Sequence, residues 1–176
     1  ITLGNSNDFT STVSLTGANI LVKDVNALHV SALNYGAFSN VYLEAGGALT
    51  LPAGNIVTTG QLSLYSGSFL TTPGNLGGST VILDAPSGLD IAHNITASGP
   101  LFLTGGATSG VNQTAGAITA TGGLATVSAG SSPVNLNQPG NNFSSIAVTG
   151  GAVQLRDANG FAPGNVSADT LDVNSA

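Results

Sequence analysis

A segment near one end of this chain recurs near the other end. Residues 7–28 read NDFTSTVSLTGANILVKDVNAL, and residues 141–161 read NNFSSIAVTGGAVQLRDANGF. Asp24 matches Asp157 and Asn26 matches Asn159, and each pair is 133 positions apart (157 − 24 and 159 − 26). A segment that recurs inside one chain indicates a repeat architecture, in which each unit packs on its neighbours.

Between the two copies, short apolar-polar-apolar triplets return at regular intervals. They begin at Val41, Leu62, Val81 and Leu101, and the steps 41 to 62, 62 to 81 and 81 to 101 are 21, 19 and 20 residues. Such alternation is typical of short strands, and the step fits one turn of a coil of strands joined by bends. We therefore predict an all-β chain, a right-handed parallel β-helix (β-solenoid) of about eight turns. The rival fold, an antiparallel sandwich, would place turn signals roughly every 8–12 residues.

The composition agrees with stacked strands and excludes several other classes of protein. Only 6% of the 176 residues are charged, against roughly a quarter in an ordinary soluble domain. Outward side chains on successive turns lie about 4.8 Å apart, where like charges repel by roughly 0.9 kcal/mol even in water. The net charge of −6 with two basic residues argues against nucleic-acid binding, and cysteine is absent. No apolar run is long enough to span a membrane.

The apolar residues assign an approximate place to each turn. Residues 1–176 are expected to form a single solenoid segment, part of a longer repeat protein because both ends lie in copies of one unit. Phe69 is expected in the core of the third turn, and Leu124 begins the least certain turn. The register is open over residues 104–134, where Gly, Ser, Thr and Ala dominate.

At its two repeated segments the chain resembles the β-strand repeats of filamentous-haemagglutinin-type proteins. Those repeats have the pattern NDF-x-G-x-V-x-L-x-G-x-x-V-x-L-x-D-x-N-A-L. This chain departs from it at Ser11, where glycine is usual, and at Asn142, which replaces the Asp8 of the first copy. The resemblance implies a parallel β-helix secreted by a Gram-negative bacterium through a two-partner or autotransporter route. It implies an adhesin stalk or surface filament and does not identify a receptor.

One face of the coil is a candidate binding surface. Tyr42, Ile82 and Phe102 are predicted to form an exposed apolar stripe, and such patches often contact a partner. The alternative is that a loop containing Tyr35 and Phe38, or the segment after Leu103, covers the stripe. The predicted outward row on this face consists of Ser14, Tyr42, Ser63, Ile82, Phe102, Ala125, Ala147 and Asp172.

Four aspartate and asparagine residues of the repeat are interpreted as structural. Asp24 with Asn26, and Asp157 with Asn159, occupy equivalent bends, where such side chains bind nearby backbone amides. The glycan-acceptor pattern Asn-x-Ser/Thr occurs at Asn94, Asn112, Asn142 and Asn165, although a chain so rich in these residues is expected to contain chance matches.

Catalysis is not expected. The carboxylates Glu44, Asp84 and Asp90 are scattered, His29 and His93 are isolated, and no calcium-binding nonapeptide occurs, so we expect no enzyme activity, metal or cofactor. Three functional hypotheses remain. The first is a structural stalk or adhesin segment at the bacterial surface, and the second is an extracellular filament subunit that stacks end to end. The third is a carbohydrate-binding module, so a surface receptor or glycan is the expected external partner.

Overall fold

The fold consists of short strands and bends. A computed structural model describes residues 1–106 and 108–175, and in that part of the chain every regular element is a β-strand. None of these residues forms a helix that could cross a bilayer. The strands are β1 (Thr2–Asn7), β2 (Val13–Gly17), β3 (Ile20–Asp24), β4 (Leu28–Tyr35), β5 (Val41–Ala45), β6 (Leu49–Thr50), β7 (Ile56–Val57), β8 (Gln61–Ser66), β9 (Leu70–Thr71), β10 (Leu76–Gly78), β11 (Thr80–Ala85), β12 (Leu89–Ile91), β13 (Ile95–Ala97), β14 (Leu101–Gly105), β15 (Val111–Gln113), β16 (Ile118–Ser128), β17 (Val134–Leu136), β18 (Asn142–Asp157) and β19 (Ala162–Ser175).

Parallel pairing arranges these strands in three faces around one core. Face 1 stacks β1, β3, β5, β8, β11, β14, the end of β16, the middle of β18 and the start of β19. Face 2 contains the pair β4–β6 and the stack β9, β12, β15, β17, β18 and β19. Face 3 contains the pair β2–β4 and the stack β7, β10, β13, β16 and β18. The long strands β16 and β18 continue from one face to the next.

The predicted fold class is confirmed, since all these pairings are parallel and the chain coils as a β-solenoid of about nine turns. The predicted number of turns was about eight. The recurring triplets lie on face 1, where Val41, Leu62, Val81 and Leu101 are aligned in register and buried. Burying one such aliphatic side chain contributes about 1.5–3 kcal/mol, which each turn shares with the turns above and below it.

Corresponding residues of the two repeated segments lie on different faces. Ile20–Asp24 pairs on face 1, whereas the matching residues 153–157 pair with β17 on face 2. The expected outward row was therefore wrong at three positions. Ser14 belongs to face 3 and Asp172 to face 2, and Ala125 points inward. In register, the row on face 1 is Leu21, Tyr42, Ser63, Ile82, Phe102, Thr126 and Ala147.

Two apolar residues that were expected in or near the core are exposed. Phe69 is 42% exposed while its neighbour Leu70 is 2% exposed, and Leu124 is 44% exposed while Ala125 is fully buried. In both places two apolar residues are adjacent, and only one of the two can point inward from a strand. The Gly/Ser/Thr-rich part of the chain stays in the stack, with one register shift between Ala120 and Leu124 where β16 pairs with β18. Its extra residues lengthen the bends after β14 and β16, and β15 and β17 pair normally.

The bends between faces 1 and 2 are packed closely from turn to turn. A Cβ atom on Gly67 would collide with the backbone carbonyl of Gly46 in the previous turn. Only glycine allows the two backbones to approach this closely. The bend therefore forms part of the continuous stack.

Candidate functional site

Asp24 holds together the first repeated segment. Its carboxylate accepts one hydrogen bond from the amide of Phe9 (2.8 Å) and another from the amide of Asn26 (2.7 Å). The amide of Val25 donates to the carbonyl of Asn7 (2.9 Å). One buried carboxylate thus joins the bend that follows it to the chain 15 residues earlier (24 − 9). We call this arrangement the aspartate clasp.

The second repeated segment forms the same clasp. Asp157 accepts from the amides of Phe143 (2.7 Å) and Asn159 (2.9 Å), and Ala158 donates to the carbonyl of Asn141 (2.8 Å). Charged hydrogen bonds of this kind contribute about 1.5–3 kcal/mol each. The two aspartate side chains bind backbone amides at these bends, and each also reaches the amide of the Phe in its own repeat. The asparagine side chains were expected to bind amides as well, but Nδ2 of Asn26 donates to Oδ1 of Asp8 (3.1 Å). Asn26 and Asn159 contribute their backbone amides to the clasps.

A second polar device aligns successive turns at the bends between faces 2 and 3. The Oδ1 atom of Asn55 accepts from the amide of Asn75 (2.9 Å), Asn75 accepts from the amide of Asn94 (3.2 Å), and Asn94 accepts from the amide of Ala117 (2.8 Å). This asparagine ladder satisfies bend amides that have no strand partner. It also gives Asn94, one of the four glycan-acceptor candidates, a structural role.

The other three glycan-acceptor candidates lie in different surroundings. Asn112 accepts a hydrogen bond from Nδ2 of Asn135 (3.1 Å), Asn142 is half-buried at the start of β18, and Asn165 is exposed on β19. Asn94 and Asn165 are exposed, whereas Asn112 and Asn142 are half-buried. Modification at any of them stays a prediction.

The predicted apolar stripe does lie on face 1, but it is interrupted. Tyr42 and Ile82 both neighbour Ser63, which is buried and accepts a hydrogen bond from Nε2 of Gln61 (2.8 Å). Phe102 follows Ile82 directly and is 39% exposed. The stripe thus consists of the exposed Phe102 beside the half-buried Ile82, and Ser63 separates this pair from Tyr42.

No cover is provided by the two aromatic residues proposed for it. The hydroxyl of Tyr35 accepts the amide of Val57 (2.6 Å) on face 3, and Phe38 is 87% exposed. The alternative in which Tyr35 and Phe38 cover the stripe is therefore wrong. The other proposed cover, the segment after Leu103, lies partly outside the described residues. Phe102 remains 39% exposed, and Ile82 remains half-buried.

Tyr42 belongs instead to a compact cluster of aromatic and charged groups. Its ring centroid lies 5.1 Å from that of Tyr65 and 5.3 Å from the ammonium nitrogen of Lys23. Lys23 forms an ion pair with Oε2 of Glu44 (2.8 Å), and the Tyr42 hydroxyl donates to the same carboxylate oxygen. The ammonium group of Lys23 and the hydroxyl of Tyr42 therefore both contact the Glu44 carboxylate.

These contacts shift the pKa values of the cluster in opposite directions. The hydrogen bonds from Lys23 and Tyr42 lower the pKa of Glu44, and the bond to Glu44 raises the pKa of Lys23. Burial is the main cause of the raised pKa of Tyr42 and also of that of Tyr65. The ionised carboxylate and the protonated hydroxyl are thus the stable forms at neutral pH.

Face 2 carries a groove with a volume of about 560 Å³. Its floor is a row of outward polar side chains in register, namely Asp90, Asn112, Asn135 and Gln154. Each of them directly follows an inward apolar residue, so the strand alternation fixes their direction. Phe69 and Pro133 line the groove on the side of the bends between faces 1 and 2, and Thr114 lines it near the opposite bends.

Hydrogen bonding along this floor is incomplete. Thr114 donates to Oδ1 of Asp90 (2.8 Å), and Nδ2 of Asn135 donates to Oδ1 of Asn112 (3.1 Å). The Oδ1 atom of Asn135 is covered, and within the described part of the chain no donor reaches it. A covered carbonyl oxygen without a donor costs about 1–3 kcal/mol. The groove floor therefore contains a carbonyl oxygen whose hydrogen-bonding capacity is unused.

The residues considered for catalysis are dispersed in the structure. Glu44 and Asp84 occupy different rungs of face 1, with Tyr65 between them, and Asp90 lies on face 2. His29 lies at the start of β4 opposite Thr50, whereas the ring of His93 contacts the carbonyl of Thr72 (3.0 Å) at a bend. Among residues 1–106 and 108–175, no three His, Asp or Glu side chains gather in a way that could hold a metal ion.

The sequence contained an unused signal for the groove. The four floor residues stand in the triplets Leu-Asp-Ile, Val-Asn-Gln, Val-Asn-Leu and Val-Gln-Leu, which begin at Leu89, Val111, Val134 and Val153. Each triplet places a carboxylate or carboxamide at the outward position of one face. The predicted binding surface used only the middle residues of the face 1 triplets and therefore did not include this second row.

Comparison with known proteins gives one match. Residues 78–149 fit a family model described as repeats of unknown function (DUF5649). No curated protein and no solved structure matches the chain. The matched residues run from the end of β10 to the middle of β18 and include most of the groove floor. Together, the match and the nine-turn coil fit a repeat β-helix protein.

Proposed function

We propose that this chain is a non-catalytic stalk segment of a bacterial surface adhesin. The observation that carries the proposal is the uninterrupted core, because inward residues from all three faces pack into one cluster along the coil. Nine strands stacked about 4.8 Å apart give a rod of about 40 Å. A rod with a continuous core holds its two ends at a fixed distance, and a spacer must do the same.

The surface chemistry also supports a spacer. No two carboxylates occupy adjacent rungs of face 1, because Glu44 lies between Lys23 and Tyr65, and Asp84 lies between Tyr65 and Thr104. A coil with so few charges avoids repulsion along its length. The resemblance of both repeated segments to filamentous-haemagglutinin-type repeats supports secretion and an extracellular or outer-membrane location in a Gram-negative bacterium.

The location can be tested by placing a short epitope tag at an exposed bend. Gly54 is suitable because it lies in a bend of the coil and a side chain added there would meet no atom within 4 Å. We expect antibody to label intact cells of the producing bacterium. Labelling that requires permeabilised cells would reject the surface proposal. A tag at the buried strand residue Leu83 should disrupt the coil. It serves as the control that shows how strongly the antibody labels an unfolded chain.

A second candidate function is a filament subunit, and the end strand β19 favours it. Val166, Leu171 and Val173 are 36%, 52% and 45% exposed, whereas the inward residues of interior strands are buried. Among the described residues β19 pairs with β18 alone, which leaves its other edge open, and such edges accept further strands. A second copy of the chain could continue the stack at this surface.

Sedimentation velocity at increasing protein concentration tests the filament proposal. Stacking predicts species that grow with concentration and disappear in Val173→Asp, which places a charge on the stacking surface. Asp172→Asn, an outward substitution on the same strand, is the matched control and should leave the association unchanged. A protein that remains monomeric at millimolar concentration would reject the filament and leave the stalk proposal intact.

A further inference from the structure

We propose that the groove on face 2 binds a neutral, extended oligosaccharide. The sugar rings would contact Phe69, and the hydroxyl groups would bond to Asn112, Asn135 and Gln154. This site is separate from the stripe on face 1, and it adds a ligand to the proposed stalk without depending on that role.

The floor of the groove matches the hydrogen-bonding chemistry of sugar hydroxyls. Each hydroxyl can donate one hydrogen bond and accept others, and a carboxamide offers both a carbonyl acceptor and an amino donor. Asn112, Asn135 and Gln154 place carboxamide groups on three successive rungs of the rod, and Asn112 and Asn135 already share one hydrogen bond (3.1 Å). The Oδ1 atom of Asn135 is covered and has no donor among the described residues. Binding would therefore require this carboxamide to turn toward the groove, where a ligand hydroxyl would supply the missing donor.

The spacing of the floor suits a linear polymer. Consecutive strands lie about 4.8 Å apart, and this is close to the length that one pyranose ring adds to an extended chain. Successive rings could therefore meet successive rungs in the same way. The groove volume of about 560 Å³ lies in the usual range for ligand sites.

An aromatic side chain is fixed at one wall. Gly88 has φ +139° and a Cβ there would come within 3.0 Å of the Phe69 ring, so glycine leaves the space in which the ring lies. With 42% of Phe69 exposed, part of the ring is available for contact with the apolar side of a sugar. The exposure of this phenylalanine, otherwise costly, has a use in this arrangement.

Charge excludes the acidic polysaccharides. The only ionisable group on the groove floor is Asp90, and neither Lys23 nor Arg156 lines the groove. A sulfated or uronic-acid chain would bring negative charge to a chain with net charge −6. Neutral glycans avoid this repulsion.

Titration of the whole 176-residue chain followed by NMR tests the proposal. The probes are cellohexaose, mannohexaose and chitohexaose as bacterial or plant types, lacto-N-hexaose as an animal type, and a heparin hexasaccharide as the acidic comparison. We expect at least one neutral probe to shift the side-chain amide signals of Asn112, Asn135 and Gln154. The group of probes that binds distinguishes a host glycan from a bacterial polysaccharide.

Three variants locate the binding. Phe69→Ala and Asn135→Ala should each weaken binding by about tenfold or more. Phe38→Ala, which removes an exposed phenylalanine outside the groove, should leave binding unchanged. Circular dichroism establishes that each variant is folded, and Asn135→Ser replaces Asn135→Ala if the latter is unfolded.

The proposal is overturned if no neutral probe binds or if the heparin fragment binds more tightly than all of them. It is equally overturned if Phe102→Ala abolishes binding while Phe69→Ala does not, since the site would then lie on face 1. None of these results bears on whether the coil is a stalk, because that role requires no ligand.

Discussion

The two repeated segments share one hydrogen-bonding motif in two unequal settings. In the first, Phe9 is half-buried at the end of the rod, and in the second, Phe143 is 1% exposed inside it. The second clasp also has an added pair of bonds, because the side-chain amides of Asn141 and Gln113 bind each other at 2.8 Å in both directions. Asn7 instead donates to the carbonyls of Leu3, Asn5 and Lys23.

The difference shows that the sequence motif determines the conformation of the bend. The neighbouring turns determine how much the motif contributes to stability. Asp24 and Asp157 accept the same two types of amide, although one follows a strand of face 1 and the other a strand of face 2. The clasp is therefore local to the repeat. Burial of its phenylalanine is a property of the coil.

The largest effect is expected from the buried phenylalanine. Phe143→Ala should lower the free energy of unfolding by about 3–5 kcal/mol, the usual cost of deleting a fully buried ring. Phe9→Ala should cost about half as much or less, because Phe9 is partly exposed already. Urea denaturation of both variants measures the difference, and equal losses would show that the two clasps are energetically equivalent.

Loss of a clasp carboxylate should have the next largest effect. Asp157→Ala leaves the amides of Phe143 and Asn159 without their acceptor, and we expect a loss of about 3 kcal/mol. Asp24→Ala should cost somewhat less, because water can reach the end of the rod. The control is Asp172→Ala, an exposed carboxylate on β19.

Hydrogen exchange tests whether the loss of one clasp carboxylate affects only the amides of that clasp. The amides of Phe143 and Asn159 should lose protection in Asp157→Ala, while those of Phe9 and Asn26 keep theirs. Loss of protection at both clasps would mean that the whole coil opens as one unit, against the local character inferred from the geometry.

The amide pair found only in the second copy should contribute less. Gln113→Ala removes the partner of the buried Asn141 side chain, which still accepts from the amide of Ile118 (2.9 Å). We expect a loss of about 1–2 kcal/mol. Asn7→Ala in the first copy is the matched comparison, and a smaller loss there would confirm that exposure weakens the same position.

Removal of the charge on Asp84, which lies outside both clasps, should stabilise the fold, whereas removal of a clasp carboxylate should destabilise it. Burial raises the pKa of Asp84, so protonation favours the folded state and stability from this group falls as pH rises through its folded pKa. Asp84→Asn should therefore raise the unfolding temperature slightly at pH 7, with no gain below the ordinary pKa. A lower unfolding temperature at pH 7 would show that Asp84 has an unrecognised partner.

The smallest effect concerns Lys23 and its repeat counterpart Arg156. The bonds from Lys23 and Tyr42 lower the pKa of Glu44, so stability from Glu44 is present above its ordinary pKa and is lost as pH falls through the lowered value. Lys23→Gln should move the NMR-measured pKa of Glu44 upward. Arg156→Gln should leave it unchanged, and an unaltered value in Lys23→Gln would contradict the assigned cause.

Most of the fold could be predicted because inward residues repeat at the length of a turn. Val41, Leu62, Val81 and Leu101 determine face 1 unambiguously. Which face the first repeat occupies could not be predicted, since the same alternation suits any of the three faces. Adjacent apolar pairs such as Phe69–Leu70 are likewise ambiguous, because the choice between them depends on a bend whose length the pattern does not give.

The candidate sites were less predictable than the core. The aspartate bends were predictable because the motif occurs twice, but the bond to the distant Phe amide depends on how the chain returns. The groove depends on residues up to 64 positions apart (154 − 90) brought into one row. The four triplets indicate outward polar residues, but the strand register is needed to show that these residues form one row.

The offset between the two repeated segments has a geometric consequence. From β3, six pairings along face 1 lead to the middle of β18, and the matching residues lie one face further on. A protein built from consecutive units of this length would rotate each unit by a third of the circumference relative to the last. Any patch encoded once per unit would then follow a helical path around the rod and return to the same side at every third unit.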